Sequence, residues 1–210
     1  MPPVPPDAPG VRTVDPDDPE VDGYRWLTSV VVPRPIAWVS TVSADGVANL
    51  APHSFFTVAC ARPPMVAFSS VTRKDTLANV EATGELVVNL ASEPDLDAIN
   101  ASAARFAPEA DEAAELGIAT APSHRVAPHR VAAAPVALEC RLHSTVELGD
   151  STLVIARVEL VVVHEDVLAE DGYPTIERLR PLSRLGRNEW GLPPAVIAVD
   201  RPQTPEDIQR

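Results

Sequence analysis

Residues 136–148, "VALECRLHSTVEL", and 151–167, "STLVIARVELVVVHEDV", are alternating or continuously apolar, and only Gly149-Asp150 stands between them. Period-two patterning and β-branched runs belong to strands, and a Gly-Asp pair between two such runs suits a tight turn. The segment therefore predicts one long antiparallel hairpin. That hairpin restricts the whole fold, because long strands joined by tight turns favour a closed barrel.

Shorter runs supply the other strands. "PIAWVSTV" (35–42), the turn Ala44-Asp45-Gly46 and "VANLAPHSFFTVA" (47–59) read as a second hairpin. "MVAFSS" (65–70), after the Pro63-Pro64 breaker, and "ELVVNLA" (85–91) read as further strands. Between them a helix is expected over "LANVEATG", capped by Asp75 or Thr76 and ended by Gly84. Residues 94–117, alanine-rich with acidic starts, fit two short helices broken at Pro108. The expected class is mainly β within α+β: antiparallel strands with a few short peripheral helices.

Residues 1–22, rich in proline and acidic side chains, predict an extended N-terminal arm, with the folded domain over 23–172. The tail, 173–210, has too many prolines and arginines for an interior strand and is expected to pack on the barrel or on a partner subunit. A net charge of -13 with no basic block disfavours nucleic acid and anionic membrane as partners. No apolar run approaches the roughly 20 residues that span a bilayer, and the N-terminus lacks a signal-peptide pattern, so a cytoplasmic protein is expected. Cys60 and Cys140 are widely spaced and are expected as buried, reduced thiols. His124, His129 and His143 have no ligand-like spacing, and no metal is expected.

The chain uses arginine freely but holds one lysine, Lys74, in "SSVTRKDT". Ser69, Ser70, Thr72 and Thr76 offer hydroxyls there, Arg73 and Lys74 offer charge, and a helix begins just after them. A helix N-terminus presents unpaired N–H groups and partial positive charge, so together these describe an anion site. The same residues also suit a plain polar helix start with solvated cations. A second polar cluster, Ser40, Thr41, Asn49, His53 and Ser54, lies on two strands joined by one turn and suits hydrogen bonding to a heteroaromatic edge. Phe55, Phe56 and Trp38 supply either its apolar wall or core packing.

In order along the chain, "PRPIAWVSTVSADGVANLAPHSFFTVACARPPMVAFSS", "KDTLANVEATGELVVNL" and "LRPLSRLGRNEW" resemble the flavin reductase-like family of FMN-binding split-barrel proteins, over roughly residues 24 to 190. The resemblance implies a split β-barrel homodimer with FMN, or alternatively FAD, near the subunit interface. It places Ser40, Thr41, Asn49, Ala51, Pro52, His53, Ser54 and Phe55 along the flavin. It gives the phosphate to Arg73, Lys74, Asp75 and Thr76, counts Ser69 among the cofactor-binding residues, and makes Arg184 and Trp190 candidates to close the pocket or to touch a neighbouring subunit.

Many reductases of that family carry Gly-Asp-His in the long hairpin turn, with the histidine close to the nicotinamide, whereas this chain reads Gly149-Asp150-Ser151. No catalytic residue follows from the sequence; His53, Ser151 and His164 are the candidates. The resemblance implies an NAD(P)H:flavin reductase that supplies reduced flavin to a partner monooxygenase. The alternatives are an FMN-dependent oxygenase or oxidase acting on a small organic substrate, and a non-catalytic flavin-binding protein.

Overall fold

A computed structural model describes residues 10–204, so the outer ends of the expected arm and tail lie outside the described residues. Residues 10–22 carry no helix or strand. Helix α1 (Gly23–Val30) opens the fold, with the Asp22 carboxylate accepting from the Arg25 N–H as its cap. Strands β1 (Arg34–Pro35), β2 (Ala37–Val42), β3 (Ala48–His53), β4 (Phe56–Cys60) and β5 (Met65–Val71) follow. Helix α2 (Asp75–Thr83) then leads into β6 (Glu85–Leu90), and α3 (Leu96–Ala101) and α4 (Glu112–Glu115) are the two short helices expected on either side of Pro108. A small pair, β7 (Thr120–Ala121) and β8 (Arg130–Val131), precedes the long hairpin β9 (Val136–Leu148) and β10 (Ser151–Val163). The chain finishes with α5 (Ile176–Leu179), β11 (Ser183–Arg184) and β12 (Trp190–Gly191).

Seven strands form one antiparallel sheet in the order β3-β2-β6-β9-β10-β5-β4. Its two edges, β3 and β4, are consecutive in the chain and are joined only by Ser54 and Phe55. The sheet must therefore curl until its edges nearly meet, although no ladder pairs β3 with β4. A split barrel results, where sequence patterning predicted a closed one. "VANLAPHSFFTVA", expected as one extended run, is thus divided between opposite edges. The β3 edge is protected by Pro52, which has no N–H, and by Glu112, whose carboxylate accepts the Leu50 N–H at 2.9 Å.

Period-two alternation sorts side chains to the two faces of the sheet. Ala37, Val39, Val66, Phe68, Leu86, Val88, Cys140, Val154 and Ala156 fill the barrel together with Leu77 and Val80 of α2. Ile36, Trp38 and Leu50, from the opposite face of the β2–β3 hairpin, pack instead with Ile99, Ala113, Val131, Ala134 and Leu182. Trp38 is fully buried, its indole Nε1–H donating to Ser102 Oγ at 2.9 Å, so it serves the core and not a ligand wall. Both cysteines are free, but only Cys140 is buried; Cys60 is half-buried. Burial, followed by nearby Glu159 and Glu139, pushes the Cys140 thiol up to about 12.

Position 173 is not a boundary in the packing. Leu182 is a core residue, Ser183 and Arg184 pair with Pro35 and Arg34, and the Leu179 carbonyl accepts from Ser92 Oγ. Among the described residues, no helix is long and apolar enough to cross a membrane.

Candidate functional site

Strand β5 runs out at Val71, opposite Ser151 at the start of β10, and the chain then turns into α2. Thr72 makes that turn in the left-handed region at φ 62, held by its N–H to the Asp150 carbonyl at 2.9 Å and by Ser70 Oγ donating to its own carbonyl. A β-branched residue there is strained, and such strain persists where the surroundings enforce it. Lys74 is the N-cap of α2, extended at φ -120 and ψ 173, with no side-chain acceptor for the first helical N–H groups. The expected cap by Asp75 or Thr76 is not made. Thr76 Oγ1 instead accepts from Asn49 Nδ2, and Asp75 lies one residue too late, inside the first turn. An uncapped N-terminus, with its partial positive charge, is thereby left beside an exposed lysine. Arg73 is drawn away to an ion pair with Glu81, whereas Lys74 takes part in none of the described ion pairs.

The link between α2 and the β2–β3 hairpin is a buried polar net. Thr41 Oγ1 accepts from Asn49 Nδ2 at 3.2 Å and from Asn79 Nδ2 at 3.1 Å, while the second Asn49 donor bond reaches Thr76. Asn79 belongs to the quoted "KDTLANV", yet its role as a brace for Thr41 was not legible without the partner strand. Ser40 departs from this group. Strand alternation turns it to the other face, where Asn89 Nδ2 donates to its hydroxyl at 2.8 Å. Asn89 also donates to the Trp38 carbonyl and accepts the Val131 N–H, so Ser40 sits in a structural junction. Ala51 and Pro52, both half-buried, continue β3 opposite Val39 and Trp38.

His53 ends β3 facing the barrel, with its ring centroid 4.7 Å from that of Phe68. Its pKa is pulled from 6.5 to about 4, first by burial and then by the charge of Lys74, while a contact with the Ser69 backbone opposes the shift. Ser69 in turn donates its N–H to the Phe55 carbonyl at 2.9 Å, which ties β5 to the β3–β4 join. The His53 Nε2 is buried and has no hydrogen-bond partner. Stability follows from the direction of the shift. Between pH 6.5 and about 4 the unfolded chain binds a proton that the folded chain refuses, so the neutral-ring contribution is complete above 6.5 and is lost on acidification. The expected loss is about 3 kcal/mol. Urea unfolding at pH 7 and at about pH 4 should show His53→Gln losing less stability than wild type by that margin; parallel losses would disprove it.

On the other side of Ser54, the Phe55 ring lies 6.2 Å from Tyr24 and 6.0 Å from the Arg34 guanidinium. Arg34 is buried and donates to the Thr28, Val31 and Leu185 carbonyls, which ties the end of α1 to the tail. Its pKa is lowered, first by burial, with Tyr24 opposing and Arg184 adding to the effect. Arg184 stacks on Trp190 at 4.8 Å. The tail pair therefore adjoins Phe55 through Arg34, a residue of the quoted "PRPIAWVST" that sequence reasoning passed over. Two open cavities flank the assembly. Ser40, Thr41, Asn49, Asp111 and His129 line one of about 240 Å³, and Leu27, Val31, Arg34, Ser54 and Phe55 line an apolar one of about 300 Å³.

The Gly149-Asp150 turn abuts Thr72, so Ser151 stands at the same end of the barrel as Lys74; its hydroxyl donates to Asp150 Oδ1 at 2.8 Å. His164 does not. It follows the last residue of β10, roughly 40 Å along the strand from Ser151 at about 3.3 Å per residue, and cannot replace a histidine at the turn. Among the described residues no cluster of His, Cys, Asp or Glu has metal-binding geometry.

Residues 29–180 match the flavin reductase like domain. An uncharacterised protein of Halalkalibacterium halodurans is 36% identical over 86% of this chain and 91% of its own. The crystal structure of nitrilotriacetate monooxygenase component B from Bacillus cereus superposes with a TM-score of 0.86 at 31% identity, over 90% of this chain and 98% of that one. The 2-nitrobenzoate 2-nitroreductase of Pseudomonas fluorescens shares the fold, with a TM-score of 0.84 at 24% identity over 92% and 97% of the two chains. With residues 29–180 matched and a relative 36% identical over most of its length, the chain belongs to the flavin reductase-like domain family.

Proposed function

We propose that this chain is an FMN-binding oxidoreductase, an NAD(P)H:flavin reductase that supplies reduced flavin to a monooxygenase. The uncapped α2 entrance carries the reading: the first helical N–H groups have no side-chain cap there, and the exposed Lys74 adds its charge beside them. These residues fit a flavin phosphate, and Thr41, Asn49 and the Ala51–Phe55 stretch lie alongside for the rest of the cofactor. A flavin held there would supply the electron chemistry. The protein's share is to position and to exclude water, which agrees with a site that lacks an acid–base pair. The monooxygenase partner is supported by the relative that is itself a monooxygenase component.

Stopped-flow mixing of the FMN-loaded protein with NADH or NADPH should bleach the flavin absorbance. Failure with both nucleotides removes the reductase assignment. It would favour an oxygenase or oxidase acting on a small organic substrate, for which Ser151, tied to Asp150 where many reductases have histidine, is the supporting observation.

The functional unit is a homodimer. Neither cavity, at about 240 and about 300 Å³, exceeds the lower end of ordinary ligand pockets, so a flavin held at this edge needs a second wall. Tyr24, Leu27, Val30 and Val31 expose apolar surface beside the larger one and are suited to receive it. Light scattering should give about twice 22.4 kDa; a monomer that holds FMN tightly would refute the shared site.

A further inference from the structure

We infer that the apolar cavity beside α1 binds a small organic carboxylate, whose charged end Arg34 and Ser54 receive and whose apolar body the cavity walls enclose. Arg34 is 8% exposed and forms part of the wall of this cavity of about 300 Å³. Its Nη1 donates to the Thr28 and Val31 carbonyls at 2.6 and 2.8 Å, and both of those residues belong to the same wall. Its Cζ lies 6.0 Å from the ring centroid of Phe55, a further wall residue. Nη2 donates to the Leu185 carbonyl at 2.8 Å, while Nε–H is closed off from water and has no acceptor. The three carbonyls supply dipoles but no net charge. A guanidinium keeps its charge when buried, and an unmatched charge with an unpaired donor is costly in apolar surroundings. The chain holds 30 acidic residues, yet Arg34 is in none of the described ion pairs. The matching anion has to come from a ligand.

The walls decide which anion fits. Leu27, Val31, Phe55 and Phe56 are apolar, so the ligand carries an apolar body. Arg34 is the one formally charged residue of the lining, so a single negative charge is matched, and the second charge of a phosphate dianion would be left bare. A carboxylate has that single charge and a planar pair of acceptors suited to a guanidinium. Ser54 adds a donor: it lines the cavity, is half-buried, and has its hydroxyl in no described hydrogen bond. The volume, at the lower end of ligand pockets, admits a single-ring or short-chain acid and not a dinucleotide. Ser54 and Phe55 are also residues that the family resemblance sets along the flavin, so an acid held here is placed as a second substrate beside it. That role rests on the flavin reading above; the binding itself does not.

The probe is benzoate, with benzamide as its uncharged counterpart, each titrated calorimetrically into the full chain at neutral pH, with FMN titrated separately. Benzoate should bind saturably, one molecule per chain, and benzamide at least about tenfold more weakly through loss of the charge-assisted bonds. Inorganic phosphate should not displace benzoate. Arg34→Met, with thermal melting as a folding control, should lose the preference for the charged ligand. Leu27→Trp, at an exposed position of α1, should fill the cavity and abolish binding without lowering the melting temperature, and it decides the matter if Arg34→Met does not fold. Absence of benzoate binding, equal affinity for benzamide, displacement by phosphate, or binding that survives Leu27→Trp overturns the inference. FMN binding by a protein that ignores benzoate leaves the flavin reading intact. Benzoate binding by a protein that ignores FMN removes that reading and keeps the carboxylate site.

Discussion

Replacing Glu139 by leucine is expected to destabilise the fold by about 3–5 kcal/mol, although the side chain is in none of the described ion pairs. Glu139 is completely buried on β9, and its carboxylate accepts the His124 N–H at 2.9 and 3.0 Å and the Arg125 N–H at 2.6 Å. Leucine fills similar space but removes the acceptor of two backbone donors, and donors left unsatisfied cost more than an absent bond. The loop they begin is held at its next step by Glu85, which accepts the Ala127 N–H at 2.7 Å, and it goes on to form the Ala127–His129 wall of the smaller cavity. Glu139→Gln should cost less, because one amide oxygen can still accept. Urea denaturation of both variants measures this, and a Leu variant within about 1 kcal/mol of wild type would show that the loop finds other acceptors.

Local pattern made the strands, the paired short helices and the Gly84 helix stop legible, because each is decided by neighbours in sequence. Gly84 does sit in the left-handed region, at φ 72. Choices among distant partners were not legible. Thr76 looked like a cap but lies inside the first turn, where its hydroxyl accepts from Asn49, and the N-cap position falls to Lys74, which has no acceptor to offer. Ser40 and Thr41 looked like one binding pair, yet strand alternation gives Ser40 to Asn89 and Thr41 to Asn79. The division of residues 47–59 at Ser54 could not be seen either. A period-two pattern runs through the join, and only the curling of the sheet sends its halves to opposite edges. Helix α1 was missed because its capping aspartate, Asp22, lies in an acidic, proline-rich stretch where one more carboxylate carries no signal.

Lys74 gives the sharpest separation of binding from folding. Lys74→Ala should weaken FMN by about 1.5–3 kcal/mol, roughly 10- to 150-fold, through loss of a charge-assisted phosphate contact. Lys74→Glu should weaken it further, by about a thousandfold, because a carboxylate then faces the phosphate. Folding should respond in the opposite sense. Lys74 is exposed and in none of the described ion pairs, so its removal changes stability by no more than about 0.5 kcal/mol. A carboxylate at the N-cap of α2 is favourable to the helix dipole. Loss of the lysine charge also lifts one of the two influences that hold the His53 pKa down, so the Glu variant should keep more of its stability on acidification than wild type does. Flavin fluorescence quenching with FMN and with riboflavin, beside flavin-free melting curves, reads all of these effects. An FMN affinity equal to wild type in Lys74→Glu would remove the phosphate from this site, and a large fall in melting temperature without flavin would make Lys74 a structural residue.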